Sequence, residues 1–405
     1  MNRIMKSKAA GLRGSLSQFY DKIAGFDVNG SSLSDFSGLV CGQMKELGFD
    51  SVSKDKAGNI IGMIRGYEKK DAVLIMSHID IKTDRHERLE GPHKNGVAGF
   101  KAGLVSGIYA GAFIKRALLP LTGDLIVCCL PRTESCDFGA RQLFDVSLKA
   151  KARKIKGVIL SEPTDFNVNL GHKGKMEYEI VVRGRLVRNF LQHRGINMLG
   201  TMFPLINELE KASRELPSDS NLGRSDLRIK DVRYNGYRPQ EELSEFRVVV
   251  DRVFIPEEDE SFILNKAKTI AKNVYKSDSD VTINAVLAKE RVKTYTGMDI
   301  LSEKDYKPWI MEAHQAFARA SLDSLTENGF KSAFGYWKKI VTDGSYTYAQ
   351  LQIPTIGFGA GSEDALDADA ASLGADKVER AAYGQALIAQ RNIGLPTFGW
   401  SSDEI

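Results

Sequence analysis

The sequence predicts an α/β protein: a layered α/β domain interrupted by a smaller inserted domain. Three observations carry this. Short apolar runs alternate with helical patterns through residues 32–162, and from 175 to 290 the order changes to strand, helix, strand, strand, helix, strand. Strand and helix patterns of the first kind then return towards the C-terminus. At 405 residues the chain also exceeds what one small core organises, so two domains, or one with a large insertion, are expected.

The elements follow in order. "SSLSDFSGLVCGQMKELGF" repeats apolar residues at helical spacing behind Ser and Asp start signals. "GNIIGMIRG" and "DAVLIMSHI" are short β-rich runs, and "AGLVSGIYAGAFIKRAL" is a helix with many small residues. "GDLIVCCLP" reads as a buried strand, "GARQLFDVSL" as a helix and "KIKGVILSEP" as a further strand. Such alternation builds a layered domain around a largely parallel sheet. In the insertion, "KMEYEIVVRGR", "NMLGTMFPLINELEKAS", "DLRIKDVRYNG", "EFRVVVDRVFI", "ESFILNKAKTIAKNVYK" and "DVTINAVLA" give the β-α-β-β-α-β order of a ferredoxin-like unit. A polar stretch around "GMDILSEKDYKPW", a helix "WIMEAHQAFARASL", a strand "IPTIGFGAG" and a closing helix "ADKVERAAYGQALIAQ" are assigned to the first domain. The expected domains are 1–174 with 291–405, discontinuous, and 175–290 inserted.

Composition narrows the function classes. Apolar residues at 42% and charged residues at 27% are those of an ordinary soluble protein, and a net charge of +4 argues against a strongly basic nucleic-acid binder. No apolar run approaches the roughly 18 residues a membrane helix needs. The basic start "MNRIMKSKAAGLRGSL" lacks the apolar region of a secretory signal. Cys41, Cys128, Cys129 and Cys136 form no CxxC pair, so neither a disulfide framework nor a cysteine zinc site is expected. The expected compartment is the cytoplasm.

In a parallel sheet, ligands sit beyond the carboxyl ends of the strands. His78, Glu134 and Glu162 each fall just after an apolar strand run. In "SHID", Asp80 stands two residues after His78, where a carboxylate can fix the tautomer of a ligating imidazole. Glu134 in "LPRTESCDFGA" and Glu162 in "LSEPTDF" complete a set of N and O donors suited to zinc or manganese. The plainer alternative has Glu134 and Glu162 solvated, or paired with Lys101 or His172. His86 and His93 in "DRHERLEGPHK" lie seven apart in a charged loop and read as solvated.

"SHID", "TESCDFGA", "SEPTDFNVNLGHKGKMEYEIVVRGR", "DGSYT" and "IPTIGFGAG" occur in an order and spacing that resemble a known family. It is the dinuclear zinc family of acetylornithine deacetylase, succinyl-diaminopimelate desuccinylase, aminoacylase and glutamate carboxypeptidase. The chain looks most like its selenium-metabolism-linked hydrolase branch, with "EEDCDG", "GEPT" and "GHRGRME" segments. The resemblance spans about residues 15 to 395. It implies a zinc-peptidase-like domain carrying a lid, often a homodimer through that lid. It also implies two metals that polarise the scissile carbonyl and bind the attacking water, with a Glu moving the proton.

Position by position, the resemblance makes His78 the first metal ligand and Asp80 its orienting carboxylate, with Glu134 and Glu162 as further ligands. Other positions depart from it. Gly99 in "GVAGFKAG" stands where the bridging aspartate belongs, two residues before Lys101. Thr133 stands at the base position. No histidine follows "GAG", and Asp367 or Asp369 falls where the last ligand belongs. Arg188 takes the place of the lid's oxyanion histidine, and Val253 that of the lid arginine expected to meet a substrate carboxylate. Asp343, Gly344 and Ser345 match a substrate-side turn, although Asp-Gly turns are common. A glycine cannot neutralise and space two cations, and a threonine hydroxyl cannot accept a proton near neutral pH.

These departures lead to the expectation of a non-catalytic homologue, a pseudoenzyme kept for binding, assembly or regulation. The alternative is an active hydrolase of an amide bond in a small acyl-amino acid, dipeptide or related compound, using an altered, mononuclear site. The implied cofactor is none, or one weakly bound divalent metal, zinc or manganese, held by His78, Glu134, Glu162 and Asp367. The expected partners are a second copy through the lid and a protein in a larger assembly, with no nucleic acid and no membrane.

Overall fold

The computed structural model describes residues 2–24, 26, 32–68, 71–79, 98–131, 137–149, 154–185, 198–238, 243–275, 281–364 and 373–394. The chain divides into two compact units, Met1–His172 with Val292–Ile300 and Ile310–Ile405, and Lys173–Arg291 with Leu301–Trp309.

The first unit is organised on a twisted sheet. Its strands include β1 (Ser51–Lys54), β2 (Ile60–Ile64), β3 (Asp71–His78), β4 (Asp124–Leu130), β5 (Lys154–Leu160) and β6 (Val168–His172). The order runs β1-β2-β4-β3-β5, then Thr355–Gly357, then β6. β4, β3, β5 and Thr355–Gly357 are parallel to one another, while β1, β2 and β6 join antiparallel. The sheet is therefore mixed, with the expected parallel arrangement confined to its centre. The central strands are buried on both faces, which is why they read as continuous apolar runs rather than as alternation.

Helix Ala98–Arg116 lies on this sheet, and glycines four apart explain how closely. Gly103, Gly107 and Gly111 fall on one helix face. A Cβ at 107 would stand 3.1 Å from the Ile75 side chain, one at 111 would stand 2.7 Å from the Phe49 ring, and one at 103 would collide with the Ser161 carbonyl oxygen. The N-terminal helix Asn2–Ala24, which the sequence patterns did not single out, and the closing helix Ala375–Ile393 complete this layer. "WIMEAHQAFARASL" becomes helical only from Ala316, because Trp309–Ile310 is a strand and Met311 still donates its N–H to Leu170 O at 2.7 Å.

The second unit has the β-α-β-β-α-β order: β7 (Gly174–Arg185), helix Met198–Ser213, strands Asp226–Arg238 and Leu243–Phe254, helix Glu260–Val274 and strand Val281–Leu287. These four strands form an antiparallel sheet in the order 226–238, 243–254, β7, 281–287. Alternation on β7 sends Met176, Tyr178, Ile180 and Val182 into the core. Glu177 and Glu179 meet Lys230, Lys304 and Arg247 instead. Leu301–Trp309 joins this unit because Asp305 and Tyr306 pair with Met176 and Lys175 on β7. Residues 292–300 belong to the first unit, where Tyr295 Oη donates to Gly58 O at 2.6 Å and Thr296 Oγ1 to Lys56 O at 2.8 Å.

Two stability consequences follow from this packing. Gly103→Ala forces backbone to move against the end of β5 and is expected to cost about 3 kcal/mol or more by urea denaturation. In the second unit, buried Arg252 pairs with buried Glu258, which also accepts from Ser225 Oγ at 2.6 Å. Glu258→Ala leaves that guanidinium buried and unpaired, an expected loss of about 3–5 kcal/mol in the same measurement.

Candidate metal centre

β3 and β5 are neighbouring parallel strands with Met76 opposite Leu160, and the Ser161 N–H extends the ladder to Met76 O at 2.8 Å. His78 ends β3 and Glu162 stands just past the end of β5, so the two emerge side by side at the carboxyl ends of the strands. His78 Nε2 lies 3.2 Å from Glu162 Oε1. It also lies 3.3 Å from Asp343 Oδ2, a residue from a distant part of the chain. His78, Glu162 and Asp343 are 7%, 3% and 5% exposed. Two buried carboxylates from separate elements thus meet at one imidazole.

Glu162 is held from several sides. Ser161 Oγ donates to Gly103 O at 2.8 Å, as does Ser106 Oγ at 3.1 Å. Both hydroxyls thus present lone pairs to the fully buried Gln385, whose Nε2 stands 2.6 Å from Ser161 Oγ, 3.2 Å from Ser106 Oγ and 2.9 Å from Phe358 O. Beyond Glu162, Trp337 Nε1 donates to Pro163 O at 2.7 Å, and Thr164 Oγ1 accepts the Gly359 N–H at 3.0 Å. Asp165 and Phe166 then adopt left-handed conformations, with φ of 50° and 62°. Their N–H groups are fixed by Gly361 O at 2.7 Å and Gly359 O at 3.1 Å. Such strain persists only where the surroundings impose it.

Asp343 precedes the short helix Gly344–Thr347, and its turn is buried although almost wholly polar in sequence. Its carbonyl accepts the N–H groups of Tyr346 and Thr347, each at 2.9 Å. Its side chain makes no capping hydrogen bond. Thr342 O accepts the Ser345 N–H at 3.1 Å, and Thr347 Oγ1 accepts from Thr355 Oγ1 at 2.9 Å. The Thr342 N–H donates to Nε2 of the fully buried His172 at 2.9 Å. The same nitrogen lies 3.2 Å from the Thr342 carbonyl oxygen, so the ring is held against both backbone polar groups of that residue. The Tyr346 hydroxyl donates to Asp145, and burial followed by this bond pushes the phenol up from its ordinary pKa.

Of the site residues expected from the sequence, the structure brings together His78, Glu162 and Asp343. Glu162 pairs with His78 rather than with Lys101 or His172. Lys101 Nζ donates to Ala24 O at 3.1 Å and Phe26 O at 2.9 Å, tying down the end of the first helix. Gly99 lies in the first turn of helix Ala98–Arg116. Gly344 and Ser345 are buried within the short helix that Asp343 precedes. Val253 neighbours Arg252, whose guanidinium is committed to Glu258 and the Asp226 carbonyl. Asp80, Thr133, Glu134, Arg188, Asp367 and Asp369 lie outside the described residues, as do His86 and His93. His172 and Gln385 were not expected as parts of the site's support. Their signal was a polar residue inside an otherwise apolar strand or helix pattern.

Among the described residues, no group of three or more His, Cys, Asp or Glu side chains is arranged as it stands to hold an ion. His78 Nε2 instead contacts one carboxylate oxygen of Glu162 and one of Asp343 directly. Glu162 Oε2 is nevertheless buried with no hydrogen-bond partner among the described residues.

No family profile matches the chain. Its fold, however, matches that of the dipeptidase Dug1p of Saccharomyces cerevisiae, with a TM-score of 0.67, 14% identity and coverage of 98% of this chain and 99% of that one. A Bacillus subtilis protein described as a dinuclear metal-binding peptidase of the M20 family aligns with a TM-score of 0.66 and 13% identity, over 94% and 98% of the two chains. The chain has the fold of the M20 metallopeptidases. In sequence it is 26% identical over 340 residues to YgeY of Escherichia coli K12, itself uncharacterized, covering 79% of this chain and 80% of YgeY. The resemblance carried by "SHID", "SEPTDF" and "GHKG" thus extends to the layered domain with its inserted ferredoxin-like unit. No helix among the described residues is long and apolar enough to cross a membrane.

Replacing Gln385 by Leu removes the donor to Ser161 and Phe358 while keeping the volume apolar. The expected cost is about 1–3 kcal/mol in chemical denaturation, the penalty of leaving buried acceptors unsatisfied.

Proposed function

We propose that this chain keeps the metallohydrolase fold without two-metal amide hydrolysis, and binds a single cation at the carboxyl ends of β3 and β5. The supporting observation is the buried meeting of His78 and Glu162 at those strand ends, set beside a glycine at position 99. The donor set fits one ion. It offers an imidazole nitrogen and a carboxylate whose Oε2 has no hydrogen-bond partner among the described residues, a chemistry suited to zinc or manganese. It does not fit a pair, because Gly99 has no group to neutralise and join two cations. Glu134 and Asp367 are the further donors that the family resemblance assigns.

A bound ion would supply Lewis acidity. Amide hydrolysis also needs a proton transfer, and the residue that the resemblance places in that role is a threonine. Thr133, at the base position, can orient a water but cannot accept its proton, and loss of a general base typically costs about 10²–10⁴ in rate. The role that remains is binding, assembly or regulation, with a second copy of the chain as the partner the resemblance implies. The survival of His78 and Glu162 favours a second reading, a one-metal hydrolase of a small amide.

Metal analysis and titration of the purified protein separate the two. The wild type is expected to take up one equivalent of zinc or manganese, to lose it in Glu162→Gln, and to turn over no substrate in an amide and dipeptide panel. Two bound equivalents with turnover would refute the proposal, and one equivalent with turnover abolished by Glu162→Gln would establish the second reading. Gly99→Asp combined with Thr133→Glu is expected to raise the stoichiometry towards two.

A further inference from the structure

We infer that Asp343 supplies the cation site with the carboxylate that position 99 lacks, and that His172 is the positioning residue that places it there. The inference rests on the single-cation reading above and extends it to residues the family pattern assigns elsewhere or not at all.

Charge makes the first case. Among the described residues, His78 and Glu162 would give a divalent ion one imidazole and one carboxylate, and a second carboxylate would balance the charge of that described set. In the family pattern that charge comes from the first turn of the helix after β3, where this chain has Gly99. Asp343 brings a carboxylate from a different element to within 3.3 Å of His78 Nε2.

The use of the Asp343 side chain makes the second case. The turn itself does not need it: the bonds from Tyr346 and Thr347 go to the backbone carbonyl, and the side chain caps nothing. A solvated substrate-side turn would leave such a carboxylate exposed, yet Asp343 is 5% exposed. Spacing agrees as well. Two donors on one tetrahedral ion, with bonds of about 2.0–2.1 Å, stand roughly 3.3–3.4 Å apart. The imidazole nitrogen lies 3.2 Å from the oxygen of Glu162 and 3.3 Å from that of Asp343. An ion entering the cluster exchanges these direct contacts for bonds to itself, with small side-chain movements.

His172 places the carboxylate. Its Nε2 takes the N–H of Thr342, the residue before Asp343, at 2.9 Å. On the other side, Thr342 Oγ1 accepts the Gly344 N–H at 3.2 Å. The backbone on both sides of Asp343 is therefore anchored through Thr342, and the anchor of Thr342 is a fully buried ring.

Calorimetric titration of the full chain with zinc and with manganese tests this. Asp343→Asn keeps the shape and removes the charge, and is expected to weaken binding at least about tenfold. His172→Leu is expected to weaken it in the same direction, by about 10–100-fold, the range for residues that orient ligands. His172→Gln, whose side-chain oxygen can reach the Thr342 N–H, is expected to restore binding. In the Asp343→Asn background, His172→Leu should add nothing further, as required if it acts through Asp343. Wild-type affinity in Asp343→Asn would overturn the assignment of Asp343 while leaving the single-cation reading intact. Wild-type affinity in His172→Leu would overturn the role of His172. If that variant does not fold, Gln is compared with the shorter Asn at 172, and equal affinity of the two overturns it. A wild-type chain that binds neither metal would overturn the single-cation reading, and this inference with it.

Discussion

The meeting of two buried carboxylates at one imidazole is the constraint around which the first unit is arranged. Glu162 and Asp343 come from separate parts of the chain and meet at one imidazole, and carboxylates are removed from water only where something compensates them. The supporting structure can be understood as the means of holding them there. The parallel register of β3 and β5 sets His78 beside Glu162. Gln385, Ser106 and Ser161 brace the strand end from behind, and His172 and Thr342 brace the turn that brings Asp343. Each brace is a buried polar group with an identified partner, so the cluster is fixed by directional bonds as well as by packing.

Much of this was legible in the sequence. β3, β4 and β5 could be read because strands buried on both faces are apolar throughout and are bounded by turn residues. His78 and Glu162 could be read because polar residues directly after such strands lie where α/β sheets bind ligands. The inserted unit could be read because its alternating strands and amphipathic helices follow one another in a recognisable order. Direction of pairing could not, since periodicity reports which face is buried and is silent on whether neighbours run parallel. The antiparallel flanks of the sheet were missed for that reason. Asp343 beside His78 was missed because the contact joins residues far apart in the chain, and local pattern reports only an Asp-Gly turn.

The inserted unit illustrates how a neighbouring residue can mislead. Arginine stands one position before Val253, close enough in sequence to look like a displaced binding residue. On a strand, one position is a change of face. Arg252 points into the unit and is held by Glu258, so its charge serves the internal structure.

The row of glycines on helix Ala98–Arg116 has an evolutionary consequence. The helix makes its closest approaches through Gly103, Gly107 and Gly111. At each of the three, a side chain of any size would press the helix away from what lies beneath it. Selection on this element therefore falls hardest on residues that have no side chain, since one added methyl along the seam would shift the layer as a whole.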